Sequence, residues 1–385
     1  MKSLKLGKSN NIGIIGYGGY GQFIYSTLAN HESTKIIAIS DLNKPIAIPK
    51  STKYYAEYKE LLLNNDIDII WIATPPYTHV KLAISALKMG KNVIVEKPMA
   101  LSLEDCQRII EVADQEKKHI VVDFMLRSHP FIQAIKRWYS ENVFGNLRRV
   151  FVENYAQDEL LSKSHWFWDK SKSGGILIEH GIHFVDLVNY ICNSKPINIS
   201  GYGFSRNEKQ EDQVICNIHY ENNIITTHYH DFSRPGFFEE TTITFVFDLG
   251  KIILYGWIPL EAEILVLTNK SIIRKIQQAP NIYFYDEQLI SNIENVSRPK
   301  GWGNVYKMPK QNQIKSGSDK YTVDRLSRAK LKLTSGKDKI YMQLIRQIFD
   351  DFTESINSGH YQNSGNVLES HQIAIEGQNR INYSN

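Results

Sequence analysis

The chain has 385 residues, 42% hydrophobic and 22% charged, enough to bury a large core without covalent staples and long enough for two domains. Its 45 basic against 41 acidic residues leave a formal charge of +4, and no basic stripe interleaved with aromatics accompanies them, which argues against nucleic acid as a partner. No apolar run is long enough to span a bilayer and the start carries no apolar leader, so no membrane is expected either.

The three cysteines, Cys106, Cys192 and Cys216, are far apart and lack metal-ligand spacing; they fit buried thiols of a cytoplasmic protein. From Asn11 to about Phe124, the β-branched runs "IGIIG", "KIIAIS", "IDIIWIAT", "NVIVE" and "HIVVDF" alternate with amphipathic segments such as "THVKLAISALKMG" and "SLEDCQRIIEVADQEKK". Ser102 stands as N-cap of the last of these, with Asp105 three residues on. Strand and helix repeating at this spacing predict a doubly wound parallel sheet over residues 1–124.

The pattern changes over residues 125–385. A helical "HPFIQAIKRWYSE" and a strand "NLRRVFVENYA" precede "SGGILIEHGIHFVDL", which has helical periodicity. Alternating runs follow, "QVICNIHYE", "IITTHYHDF", "ETTITFVFD", "KIILYGWI" and "AEILVLTN", and they predict a large, mainly antiparallel sheet. The polar stretch from about Pro299 to Lys339 reads as a surface excursion. Two closing helices, "YMQLIRQIFDDFTESIN" and "VLESHQIAIEGQNRI", are expected to pack back on the first domain. The fold class is α/β throughout.

"IGIIGYGGYGQF" places Gly16, Gly18 and Gly21 in G-x-G-x-x-G spacing between the first strand and a helix. That geometry cradles a pyrophosphate on free helix N–H groups. Asp41 ends the second strand 20 residues beyond Gly21, where a carboxylate accepts hydrogen bonds from a ribose diol and repels a 2′-phosphate. NAD is therefore the expected cofactor, with Lys44 nearby leaving NADP open.

Two further motifs, "ATPPYTH" and "VEKPMALS", follow the third and fourth of these strands. Together with the glycine loop and "SGGILIEHGIHFVDL", they resemble the glucose-fructose oxidoreductase, inositol dehydrogenase and MocA (Gfo/Idh/MocA) family over essentially the whole chain. The resemblance implies a Rossmann domain, a C-terminal domain on an open antiparallel sheet, and NAD(P)-dependent oxidation or reduction of a hydroxyl or carbonyl on a sugar or cyclitol. On that pattern Tyr20 joins the glycine loop, Thr74, Pro75 and His79 lie on the nicotinamide side, and Glu96 and Lys97 stand at the junction with the active site. Arg127 and Trp166 are expected to border the cleft.

The chemistry of the residues runs beside this. Lys97 follows a strand, where ligands of doubly wound sheets bind, and its ammonium can polarise a carbonyl or stabilise an alkoxide. Glu179 and His183 are i and i+4 on one helical face; His183 serves as proton acceptor with a pKa near neutrality, Glu179 supports it or holds substrate, and Asp186 orients the ring. Gly174 and Gly175 are expected to give backbone clearance at the cleft, and His180, on another face, is a further substrate contact. Glu179 and His183 with His228 or His230 are an alternative oxygen and nitrogen metal set; nothing in the sequence brings them together, and no metal is assigned.

Besides dehydrogenation of a carbohydrate, two readings remain: redox-assisted glycoside cleavage with transient use of the cofactor, and a dinucleotide-binding sensor without turnover. The open sheet face predicts a homodimer or homotetramer.

Overall fold

In a computed structural model that describes residues 10–290, 312–359 and 365–384, the β-branched runs become β1 (Asn10–Ile15), β2 (Thr34–Ser40), β3 (Lys53–Tyr55), β4 (Ile69–Ile72), β5 (Asn92–Val95) and β6 (Ile120–Val122). They form one sheet in the order β3-β2-β1-β4-β5-β6 with every pair parallel. Helices α1 (Gly19–Leu28), α2 (Tyr58–Leu62), α3 (His79–Lys88) and α4 (Leu103–Glu116) make the crossovers. Ser102 does cap α4, its Oγ accepting the Asp105 N–H at 3.1 Å. Strand order reverses between β1 and β4, and a crevice opens there beyond the carboxyl ends of the strands.

The second part begins with α5 (Pro130–Ser140) and β7 (Leu147–Tyr155), followed by the short α6 (Lys170–Ser173). A π-helical turn over Leu177–Gly181 runs into α7 (Ile182–Cys192). Then come β8 (Pro196–Ser205), β9 (Glu211–Tyr220), β10 (Ile225–Asp231), β11 (Glu240–Phe247), β12 (Gly250–Tyr255), β13 (Glu261–Thr268), α8 (Lys270–Ile276) and β14 (Ile282–Leu289). After a two-stranded hairpin of β15 (Gln313–Ser316) and β16 (Asp319–Thr322) come β17 (Arg325–Lys332), α9 (Lys337–Ser358), α10 (Gly365–Asn379) and β18 (Ile381–Ser384). The large sheet has ten strands, β14-β17-β13-β12-β11-β7-β10-β9-β8-β18. Among the described residues only β10 with β7 and β18 with β8 pair in parallel in this sheet.

The expected surface excursion is corrected here. Residues 299–311 lie outside the described residues, but β17 is an interior strand of the large sheet, paired with both β13 and β14. Its Ser327, Ala329 and Leu331 are fully buried while Arg328 and Lys330 point the other way to Asp286 and Glu261. The lysines and arginines of one face hid a strand whose other face is core.

One core joins the two sheets. Val150, Val152, Phe245 and Leu254 of the large sheet pack with Trp138 of α5 and Phe184 and Leu187 of α7, and the same cluster continues through Leu344 and Ile348 of α9 to Ile12, Ile14 and Trp71 of the parallel sheet. Helix α9 lies on α1, with the rings of Phe23 and Tyr341 4.5 Å apart and Arg346 Nε donating to the Thr27 carbonyl at 3.0 Å. The three cysteine thiols are buried, and burial pushes each up to about 12. Among the described residues no helix is long and apolar enough to cross a membrane.

Candidate active site

Gly16 stands at φ +92°, and a Cβ there would meet the Ala73 carbonyl oxygen at 2.4 Å; one on Gly21 would meet the Gly16 carbonyl oxygen at 2.0 Å. These two glycines let β1, α1 and the turn after β4 close on one another. Gly18 differs: a Cβ there meets nothing within 4 Å, because the residue borders an open cavity. A glycine required by neither conformation nor packing, at the start of α1 and beside unfilled space, is what a phosphate-bearing ligand needs. Asp41 is held at the end of β2 by the N–H groups of Tyr17 at 2.7 Å and Asn43 at 2.9 Å, so its carboxylate is fixed near the glycine turn.

The cavity encloses about 500 Å³. It runs from Gly18, Gly19 and Tyr20 past Thr74 and Pro75 after β4, Glu96 and Lys97 after β5, and Asp123 after β6. The second part of the chain closes it with His165, Trp166, Glu179 and His183, and Tyr341 of α9 completes the wall.

Lys97 Nζ donates to Glu179 Oε1 at 2.9 Å and to the Glu179 carbonyl oxygen at 2.7 Å, an ion pair nearly out of solvent. Burial alone would push the Glu179 carboxyl up, but the Lys97 ammonium beside it prevails and lowers its pKa. Glu179 is thus the partner of Lys97 rather than of the His183 ring; in a low dielectric, a carboxylate gains more from an ammonium than from a neutral imidazole. His183 has no partner at Nδ1. Burial first, then the Lys97 charge, hold its pKa well below the ordinary histidine value, which corrects the expectation of a near-neutral pKa.

Several expected residues lie elsewhere. His79 is fully buried, its ring nitrogens 2.7 Å from the carbonyl oxygens of Pro98 and Thr74, so it ties together the two turns that carry Lys97 and Thr74 from behind. Arg127 Nε donates to Asp186 at 2.8 Å, and its guanidinium lies over Phe124 and Tyr190. Asp186 therefore does not orient His183: a bidentate guanidinium and the Ser370 hydroxyl at 2.8 Å occupy it. His180 is packed among the rings of His183, Phe184, His230 and Phe232. None of His79, Arg127 and His180 is among the described residues that line the cavity. Gly174 and Gly175 make room under the site, not in it: a Cβ would meet Ile178 at 2.8 Å and Gln378 at 2.6 Å respectively.

The π-helical turn that carries Glu179 is anchored from below. Glu211 Oε2 accepts the Ile176 N–H at 2.6 Å, Gln378 Oε1 accepts the Leu177 N–H at 2.8 Å, and Gln378 Nε2 donates to Glu211 Oε1 at 2.9 Å. Sequence reasoning missed this pair, and also Asp123, His165 and Tyr341. Asp123 had a signal, since it follows β6 at the same level as Glu96 follows β5. Tyr341 had none. Among the described residues no group of three or more His, Cys, Asp or Glu side chains is arranged to hold a metal ion.

A model of the oxidoreductase family GFO/IDH/MocA, NAD-binding Rossmann fold, matches residues 10–124, and one of the GFO/IDH/MocA C-terminal domain matches residues 132–253. The chain is 27% identical over 197 residues to glucose-6-phosphate 3-dehydrogenase of Bacillus subtilis, covering 49% of this chain and 55% of the relative. It is 25% identical over 195 residues to 2,7-anhydro-N-acetylneuraminate hydratase of Escherichia coli, covering 50% and 52%. The chain thus spans about half the length of the curated relatives it matches. The crystal structure of myo-inositol 2-dehydrogenase from Lactobacillus plantarum shares the fold over 97% of both chains with a TM-score of 0.68 at 16% identity. With both of its parts matched, the chain belongs to the GFO/IDH/MocA family of oxidoreductases with an NAD-binding Rossmann fold.

Proposed function

We propose that the chain is an NAD-dependent dehydrogenase of a hydroxyl group on a sugar, cyclitol or sugar derivative. One observation carries the reading: the Lys97 ammonium, a His183 ring with an unpartnered Nδ1 and the glycine turn line a single cavity. Bound NAD supplies the hydride acceptor. Glu179 holds and aims Lys97, and Lys97 lowers the cost of negative charge on the reacting oxygen. His183, held neutral, takes the hydroxyl proton as the O–H bond breaks. The anionic Asp41 favours NAD over NADP. Trp166 offers an aromatic face for a sugar ring. The relative named glucose-6-phosphate 3-dehydrogenase supports a carbohydrate substrate. We also infer that the outer face of the large sheet joins copies of the chain.

The test is incubation with NAD and a panel of sugars and cyclitols. NADH should form with at least one of them, and Lys97→Met and His183→Ala should each lower turnover by about 10²-fold or more while still binding NAD. Unchanged turnover in both variants sinks the mechanism. A second reading, oxidation followed by elimination and re-reduction, is favoured by the relative named a hydratase. It predicts a cleaved or hydrated product with no net NADH. Nucleotide binding without any product is the outcome expected of a sensor.

A further inference from the structure

Glu96 and Asp123 occupy the same step of adjacent parallel strands. Val95 of β5 is in register with Val122 of β6, so the residues that follow them leave the sheet side by side into the cavity. Backbone bonds fix both: the Glu96 N–H donates to the Ile72 carbonyl at 3.0 Å and the Asp123 N–H to the Val95 carbonyl at 2.9 Å. Asp123 is 1% exposed. The two carboxyls lie within hydrogen-bonding reach of each other.

Donors are short. The Tyr20 hydroxyl of α1 donates to Asp123 Oδ2 at 2.6 Å and the Met125 backbone N–H also serves Asp123, while among the described residues neither Glu96 Oε1 nor Asp123 Oδ1 has a hydrogen-bond partner. Lys97 is the cation facing them, and its ammonium is turned to Glu179. Tyr341 faces the pair from α9. Glu179 and His183 line the same cavity from the second part of the chain. Two neighbouring buried carboxylates with fewer donors than acceptor oxygens repel each other and each leaves one oxygen unsatisfied; one proton between them lowers both costs. Burial, and then the neighbouring Asp123 charge, push the Glu96 carboxyl well above the usual range, and burial raises Asp123 as well. The titration belongs to the pair.

We propose that Glu96 and Asp123 share one proton in the free protein and release it to solvent when the oxidised cofactor binds, so that NAD⁺ is taken up in exchange for a proton while NADH is not. The inference rests on the NAD-dehydrogenase reading of the cavity, with Lys97 marking its reactive end. A nicotinamide ring seated there is cationic when oxidised and neutral when reduced, and a cation beside the pair favours its fully ionised form. On release the O–H bond breaks, its electron pair stays on the carboxylate, and nothing is oxidised. Once the ring charge is lost in turnover the pair becomes basic again, and it is then a sink, inside the same cavity, for the proton that leaves the substrate hydroxyl.

The sign follows from linkage. Because NAD⁺ prefers the deprotonated pair, its affinity rises with pH through the pair's titration, by up to about tenfold per pH unit, and the affinity for NADH does not. The whole protein is titrated with NAD⁺ and with NADH in weak buffer containing a pH indicator, and the dissociation constants are measured across the pH range in which it stays folded. Release approaching about one proton per bound NAD⁺ is expected, with none for NADH. A carbonyl stretching band of a protonated carboxyl should disappear from the infrared difference spectrum on NAD⁺ binding alone. Asp123→Asn should bind both cofactors, release no proton and flatten the NAD⁺ profile; Glu96→Gln serves equally if that variant does not fold. NAD⁺ binding without proton release in the unaltered protein, or release that persists in both variants, overturns the proposal and leaves the dehydrogenase reading standing. Failure of either cofactor to bind overturns both.

Discussion

Gln378 lies 201 positions from the Leu177 N–H it satisfies, and nothing about a glutamine near a chain end announces that role. Its amide and the Glu211 carboxylate act together as a cap for a helical segment that begins after two glycines and has no side-chain cap of its own. Removing the amide leaves a buried donor without a partner, a cost of about 1–3 kcal/mol. Gln378→Ala should therefore lower the stability measured by urea unfolding by that amount. It should also reduce turnover more than NAD affinity, because the segment it steadies carries Glu179 and His183 but not the glycine turn. Equal losses in both would show that Gln378 supports the fold generally rather than this turn.

Helix α7 and strand β10 meet through histidines. His180 and His183 come from the π-helical turn and the start of α7, His228 and His230 from β10, and among them every nitrogen of His228 and His230, Nε2 of His180 and Nδ1 of His183 lack partners. Burial lowers all four, His180 to about 4 and His228 to about 3, with His183 and His230 well below the ordinary value. The unfolded chain binds protons at these rings from about pH 6.5 downward and the folded protein does not, so stability is fully present above that pH and is lost as pH falls towards about 4. Melting temperatures measured across this window should fall steeply on the acid side. His228→Leu, which removes a fully buried imidazole of β10, should make the fall shallower. An unaltered slope would show that the protonation responsible lies elsewhere.

At the scale of the molecule, the large sheet packs one face on helices and turns the other outward. Phe151 of β7 lies in register with Thr227 of β10 and Thr244 of β11, and Thr244 with Ile253 of β12, so half-buried apolar and hydroxyl side chains form a band across the outer face. A face of this composition is poorly served by water, and a second copy of the chain offers a matching surface. Light scattering should give the mass of a dimer or tetramer of 44.4 kDa chains, and Phe151→Glu should shift it to the monomer. A monomer in the unaltered protein would leave the face to some other occupant.

Local placement was legible wherever it is set within one turn. The glycine turn, Asp41, Lys97 and the capping Ser102 each depend on a few adjacent residues, and each stands where its spacing predicts. The parallel sheet showed itself as short β-branched runs between amphipathic helices, because its central strands are buried on both faces, and the large sheet as period-two alternation, because its strands bury one. Alternation failed for β17, whose outward lysines and arginines resemble a loop until Asp286 and Glu261 on neighbouring strands and residues are placed beside them. The pairing of charges was likewise undetermined: helical spacing put Glu179 and Asp186 each beside His183, whereas the assembled structure gives Glu179 to Lys97 and Asp186 to Arg127. Opposite full charges attract more strongly than an ion and a neutral ring, so the nearest residue in sequence loses to the better partner from another element. The same is true of Glu96 and Asp123, which are 27 residues apart and become a pair only through the register of β5 and β6. The sequence by itself determined the cofactor turn and the family of the fold; tertiary structure decided which charges meet and where a proton is held, because both depend on burial and distance across elements.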